Sequence, residues 1–167
     1  MKYFNTLTKT LAWLAAGLFV MAGVMLTYEV IARHFFTAPT IWAAELSQLT
    51  LIWGSLLGMA WLLEARRHIA VDALVGLLSE TQRRFTETFA MMFVAGFSFI
   101  VAWKGGGIFW DSFERGRTTG SMLDMPTWVS ELAIPVGFGL LCAQALIEAY
   151  GALSGKRDLS PSQGAHE

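Results

Sequence analysis

The side chains that could hold a metal or attack a substrate are few: three histidines and a single cysteine in 167 residues. Paired histidines in membrane subunits can carry haem, which makes His34 and His68 the first candidates. His34 closes one apolar stretch and His68 follows the next, so they fall on opposite faces of a bilayer. The hydrocarbon core between them is about 30 Å thick, too far to share one iron. His166 lies close to the C-terminus. Cys142 sits in an apolar run, where nothing cationic would lower its pKa, so it reads as a small packing residue rather than a reactive thiol. One cysteine gives no disulfide framework. No segment offers a nucleophile beside a base, a paired acid and base, or a glycine-rich phosphate loop. The expectation is a chain that is not an enzyme and holds no metal or cofactor of its own.

Charges embedded in apolar sequence are the next candidates, because an ionisable group in hydrocarbon is costly and is kept for a reason. Glu29 and Lys104 arrive at similar depth when counted along their helices at about 1.5 Å per residue. They can form an inter-helix ion pair, or each can snorkel independently to the interface. Gly105, Gly106 and Gly107 follow Lys104 directly and predict either a close backbone approach or a helix end there.

A third signal is a repeated element. Pro39-Thr40-Ile41-Trp42-Ala43-Ala44-Glu45-Leu46 and Pro126-Thr127-Trp128-Val129-Ser130-Glu131-Leu132 share Trp-x-x-Glu-Leu after Pro-Thr. Proline suits a helix start, tryptophan suits the headgroup layer, and a carboxylate in the first turn is favoured by the helix dipole. Any helix entering a membrane can use these parts. The functional reading is that they form a surface recognised by another subunit.

What must position these residues follows from composition. The chain is 54% hydrophobic and 15% charged, with a mean hydropathy of +0.49, outside the usual range of soluble domains. A net charge of -1 gives no basic surface for nucleic acid. Residues 11–32, 44–63, 85–103 and 129–153 each approach or meet the length of about 20 apolar residues needed to span. Each must be helical, because unpaired backbone is too costly in lipid. The first stretch exceeds the roughly 7 to 15 apolar residues of a cleavable signal and reads as a retained anchor. The fold class is therefore an all-α integral membrane protein with a four-helix domain over residues 1–153. A disordered cytoplasmic tail is expected at 154–167.

Lys2, Lys9, Arg66, Arg67, Arg83, Arg84, Lys156 and Arg157 fall on one side of alternating helices; Arg33, Arg115 and Arg117 fall on the other. The positive-inside rule makes the first set cytoplasmic, with both termini inside. Trp42, Trp110 and Trp128 mark the outer interface. Between the second and third spans, Asp72 is placed to cap a short interfacial helix over 73–78. Ser79-Glu80-Thr81-Gln82 resembles a capping box, which starts the third helix near Glu80.

The order of these features resembles a known family. A first helix ending in Arg33, Trp42-x-x-Glu45 opening a second helix, Gly58 within it, Arg66-Arg67-His68-Ile69-x-Val71-Asp72 after it, and Pro126-x-Trp128 before the last helix are similar to the small membrane subunit of tripartite ATP-independent periplasmic (TRAP) transporters. The resemblance covers nearly the whole chain. It implies a non-catalytic scaffold in the bacterial inner membrane, packed against a separate large membrane subunit that carries the substrate and sodium sites. It also implies a periplasmic substrate-binding protein that delivers an organic acid to the outer face. Arg33, Trp42 and Glu45 match the outer motif and, with Trp128 and Glu131, are the candidates for subunit contact or docking. Arg66, Arg67, His68 and Asp72 match the inner motif, which either serves a role in assembly or simply fixes the cytoplasmic turn against lipid headgroups. Two other classes remain open: a stand-alone exporter working as a dimer around a membrane carboxylate, and an anchor subunit of another membrane complex.

Overall fold

The computed structural model describes residues 2–75, 80–121 and 123–153, with side-chain surroundings from residue 4 to 65, at 82, and from 84 onward within those ranges. The elements in chain order are α1 (Lys2–Phe36), α2 (Ala43–Val75), α3 (Glu80–Arg115), α4 (Trp128–Glu131) and α5 (Ala133–Leu153). They supply four membrane-length stretches: Phe4–Phe36, Ala43–Ala65, Arg84–Arg115 and Trp128–Leu153. Among the described residues there is no strand, and the connection between α3 and α4 carries one isolated bridge between Thr118 and Pro126. Each helix overruns the apolar stretch that announced it. Hydropathy reports what sits in hydrocarbon, whereas backbone hydrogen bonding continues into the polar layer.

α3 is described from Glu80 onward; the capping pattern that opens at Ser79 falls at the edge of the described residues. The expected break at Asp72 is corrected: α2 continues through it to Val75, so Asp72 lies within a helix rather than ahead of one. Nothing between Met59 and Val75 is glycine or proline, so no residue there forces the helix to stop. Residues 76–79, the end of the expected interfacial helix, and 154–167, the expected tail, lie outside the described residues. The last span is α4 and α5 joined through Leu132, which keeps helical angles. Pro135 has no N–H to offer the Glu131 carbonyl, which explains the interruption. The turn is carried by the Leu132 N–H to Trp128 O at 2.9 Å and the Val136 N–H to Leu132 O at 3.4 Å.

The broad interfaces run α1 to α2, α2 to α5 and α5 to α3. The helices therefore stand in a row, with α1 and α3 at opposite edges. Lipid is as apolar as the side chains, so this order is set by close packing of small residues rather than by a hydrophobic drive. Along α1, Thr8, Ala15, Ala22 and Glu29 are buried, one position in every seven, the repeat that keeps a seam facing a partner. α2 answers with Gly54 and Gly58, both facing Ala15. In the α3–α5 seam, Ala95, Ser98 and Ser112 are buried against a face that includes Ala145, Ala149 and Ala152. A Cβ at Gly105 would lie 2.6 Å from Ile134 Cγ2, whereas Gly106 and Gly107 face open space. The glycine run thus provides a close approach and does not end α3. Cys142 joins this seam, its thiol donating to Ala95 O at 3.4 Å.

The α2–α5 junction is narrower but also close, and there the approach is to backbone. A Cβ at Gly137 would meet Leu56 Cβ at 2.7 Å and Leu56 O at 3.0 Å. Nearer the outer end, the Trp53 indole N–H donates to Val129 O at 3.1 Å. Toward the other end, Gln144 and Glu148 are 0% and 1% exposed, and the Gln144 amide donates to Glu148 Oε1 at 2.9 Å. Asn5 donates to Glu64 Oε1 at 2.8 Å, tying the start of α1 to α2.

Candidate functional site

The end of the row that carries the α1–α2 and α3–α4 connections gathers most of the predicted residues, and the chain geometry there follows from how α1 stops. Thr37 takes a left-handed φ of 49°, a conformation that ends a helix. The Ala38 N–H then turns back to Ala32 O at 3.2 Å. This swings Thr40 over Glu29, which is only 6% exposed. Glu29 Oε1 accepts from Arg33 Nη2 at 2.8 Å, and Oε2 accepts the Thr40 backbone N–H at 2.9 Å and the Thr40 hydroxyl. One carboxylate therefore clasps the whole connection between α1 and α2. Beside it the Tyr28 and Trp42 rings stack at 6.0 Å.

The proposed pairing of Glu29 with Lys104 is not formed. Glu29 is engaged by Arg33 and Thr40, and Lys104 is exposed on α3, at the opposite edge of the row. Similar counts along two helices do not decide which helices are neighbours.

α2 opens with the Leu46 N–H on Trp42 O at 3.0 Å, which places Glu45 in its first turn. The connection between α3 and α4, at the same end of the row, is a small hairpin. Gly116, at φ 58°, turns the chain out of α3. The Thr119 N–H to Met125 O at 2.9 Å and the Thr127 N–H to Arg117 O at 3.0 Å then close it. Asp111 pins its base, accepting from Arg115 Nε at 2.6 Å and Arg117 Nη2 at 2.8 Å.

The two copies of the repeated element are used differently. Trp42 stacks on Tyr28 and remains 39% exposed. Trp128 instead packs against Phe113 and Phe109, at centroid separations of 5.7 and 6.4 Å, and joins α4 to α3. Glu45 and Glu131 each keep a buried Oε2 with no hydrogen-bond partner among the described residues. Arg66, Arg67, His68 and Asp72 occupy helical positions of α2, but their side-chain surroundings lie outside the described residues. His34 is exposed, its ring edge-on to Phe35 at 5.1 Å. Among the described residues no group of three His, Cys, Asp or Glu could hold a metal ion.

Sequence reasoning missed Thr40 as the partner of Glu29 and Asp111 as the anchor of the hairpin. The second was within reach, since Asp111 and Arg115 stand four apart on one helix face. The first depends on the left-handed turn at Thr37 and has no signature of its own.

Residues 21–155 match the family of tripartite ATP-independent periplasmic transporters, DctQ component. The sialic acid TRAP transporter permease protein SiaT of Haemophilus influenzae is 34% identical over 102 residues, which cover 60% of this chain and 16% of that protein. The C4-dicarboxylate TRAP transporter small permease protein DctQ of Rhodobacter capsulatus is 30% identical over 111 residues, 66% of this chain and 48% of that one. The small permease protein of the same description from Vibrio cholerae is 26% identical over 163 residues, covering 84% and 70%. The chain thus spans less than half the length of the first two relatives. The relatives are transporter permeases, and no catalytic family is indicated. With its four membrane-length helices, the chain is a multi-pass protein of the bacterial inner membrane and belongs to the DctQ-component family of tripartite ATP-independent periplasmic transporters.

Proposed function

We propose that the chain is the scaffold subunit of a sodium-coupled importer of an organic acid. It packs beside a large membrane subunit that binds substrate and sodium, and it lends part of the outer surface on which a periplasmic substrate-binding protein docks. Both termini are cytoplasmic in this reading, so the clasped α1–α2 connection and the outer hairpin face the periplasm.

The observation that supports it best is the open row. α1 and α3 each have one broad helix neighbour, and their flanks are lined by exposed Trp13, Val20, Phe89, Phe93 and Trp103. A carrier needs a polar path between moving halves; a row of seams closed by small residues is suited to being a fixed neighbour for one. The outer connections are held by Glu29 and Asp111 rather than left to bend, as a docking surface requires. An organic acid fits the two relatives named for sialic acid and C4-dicarboxylates.

Reconstitution into liposomes tests this. The chain alone is expected to be inert. With its large partner, a loaded binding protein and an inward sodium gradient, uptake should appear. Flux through the chain by itself would refute the scaffold reading and favour an exporter.

A further inference from the structure

Between Glu87 and Asp111 the sequence of α3 carries a single charge, Lys104. Its side chain is exposed and makes no hydrogen bond or ion pair among the described residues. The nearby acids are engaged elsewhere: Asp111 holds Arg115 and Arg117, Glu114 accepts from the Trp110 indole at 2.9 Å, and Glu29 is clasped at the far edge of the row. Lys104 stands about 9 Å along the helix from Trp110 at ~1.5 Å per residue, and a tryptophan there suits the outer headgroup layer. The Cα–Cβ bonds of a helix tilt toward its N-terminus, which for α3 is the cytoplasmic end in the proposed orientation. The lysine stem therefore leaves the helix toward the middle of the bilayer, against the direction it would take to snorkel to the outer phosphates. An ammonium facing hydrocarbon without a partner is costly, and a carboxylate at its own depth is what answers it.

The helix surface beside Lys104 is cut away. Gly105 faces Ile134, but a Cβ at Gly106 or Gly107 would meet nothing within 4 Å. Glycine weakens a helix interior relative to alanine, and these two relieve no contact within the chain. Gly107 lies three or four residues from Trp103, Lys104 and Trp110, so the four share one face. The two rings are 73% and 58% exposed and wall a notch at Gly107. Fluid lipid tails need no such notch, whereas a neighbouring helix brings its backbone close only over a position of this kind. The exposed flank of α1 also has an open glycine, Gly17, yet residues 10–28 carry no charge that calls for a partner.

We propose that the chain meets the large membrane subunit along the α3 edge of the row, with Lys104 paired to a carboxylate on a helix of that subunit whose backbone approaches at Gly107. This rests on the scaffold reading and adds to it which edge makes the contact and through which charge.

The tagged full chain is co-expressed with the large membrane subunit of its transporter. Membranes are treated with dicyclohexylcarbodiimide, which joins an amine to a carboxylate in direct contact, and the complex is purified in mild detergent and digested for mass spectrometry. Lys104 should appear in an amide cross-link to an Asp or Glu of the large subunit, a result that needs no variant. Without cross-linker, Lys104→Gln should lower recovery of the large subunit about tenfold, the scale of one charge-assisted bond. Lys104→Arg, which keeps the charge, should stay within about threefold of the unaltered chain. Gly107→Leu should reduce recovery by filling the notch, and Gly17→Leu on α1 should leave it unchanged. A complex that forms yet gives no cross-link from Lys104, or whose recovery falls with Gly17→Leu and not with Lys104→Gln, overturns the contact and leaves the scaffold reading standing. Loss of a bound phospholipid instead of the large subunit in Lys104→Gln also overturns it and assigns the ammonium to a lipid phosphate. Failure of the unaltered chain to recover the large subunit in several mild detergents overturns the scaffold reading itself, and the contact with it.

Discussion

The junction between α2 and α5 joins two helical pairs, α1–α2 and α5–α3, and a single methyl group should be enough to test it. In Gly137→Ala the new Cβ would stand 2.7 Å from Leu56 Cβ and 3.0 Å from Leu56 O. Carbon atoms pack best at about 3.5–4.0 Å, so the helices must part by up to roughly 1 Å, or the backbone of α2 must move, since a carbonyl oxygen cannot rotate away. Overpacking of this kind costs about 1–3 kcal/mol. Alanine also gains about 1 kcal/mol of helix propensity over glycine, which leaves a net loss of roughly 0–2 kcal/mol. Gly139→Ala is the internal control. It lies in the same helix, and its added Cβ meets nothing within 4 Å, so only the propensity gain of about 1 kcal/mol should appear. Unfolding by sodium dodecyl sulfate in mixed micelles, followed by circular dichroism, should move the two midpoints in opposite directions or separate them by at least about 1 kcal/mol. If Gly137→Ala is as benign as Gly139→Ala, the close approach at Leu56 is wrong, and with it the order of the row.

The Glu29 clasp makes a second prediction. Glu29→Ala removes a part-buried i,i+4 pair to Arg33, whose own side chain is exposed, and two hydrogen bonds from Thr40 to a charged acceptor. The same unfolding assay should show a loss of about 1.5–3 kcal/mol, and a cysteine at position 40 should label faster. Lys104→Gln, in contrast, should leave the midpoint within about 0.5 kcal/mol, as expected for an exposed side chain; a loss matching that of Glu29→Ala would revive the pair across the row. For topology, in a Cys142→Ala background, a cysteine replacing exposed Thr119 should react with an impermeant maleimide in intact cells, while cysteines at positions 2 and 160 should react only after permeabilisation. Labelling of the two ends from opposite faces would refute the orientation.

How much of this was readable in advance depends on the range of the interaction involved. The four spans are local properties of hydropathy, and the structure places them close to where the residues say. Family membership was legible for a related reason: short motifs at fixed spacing survive along the chain. Asp111 with Arg115 was local as well, a helical i,i+4 pair. The neighbour relations were not. Four apolar helices of similar length can be ordered in several ways, and water, which would penalise the wrong ones, is absent between them. The choice falls to where glycine, alanine and serine let backbones meet, and those residues carry no label saying which helix they await. That is why Glu29 and Lys104, expected at similar depth, stand on helices at opposite edges, and why two copies of one Trp-x-x-Glu element serve an exposed ring stack and an α3–α4 contact. Local sequence determined that the chain crosses the membrane and roughly where each span lies, though not how far each helix runs beyond it. Which helix touches which, and so which side chains form the outer rim, was decided by the fit of small residues across the seams.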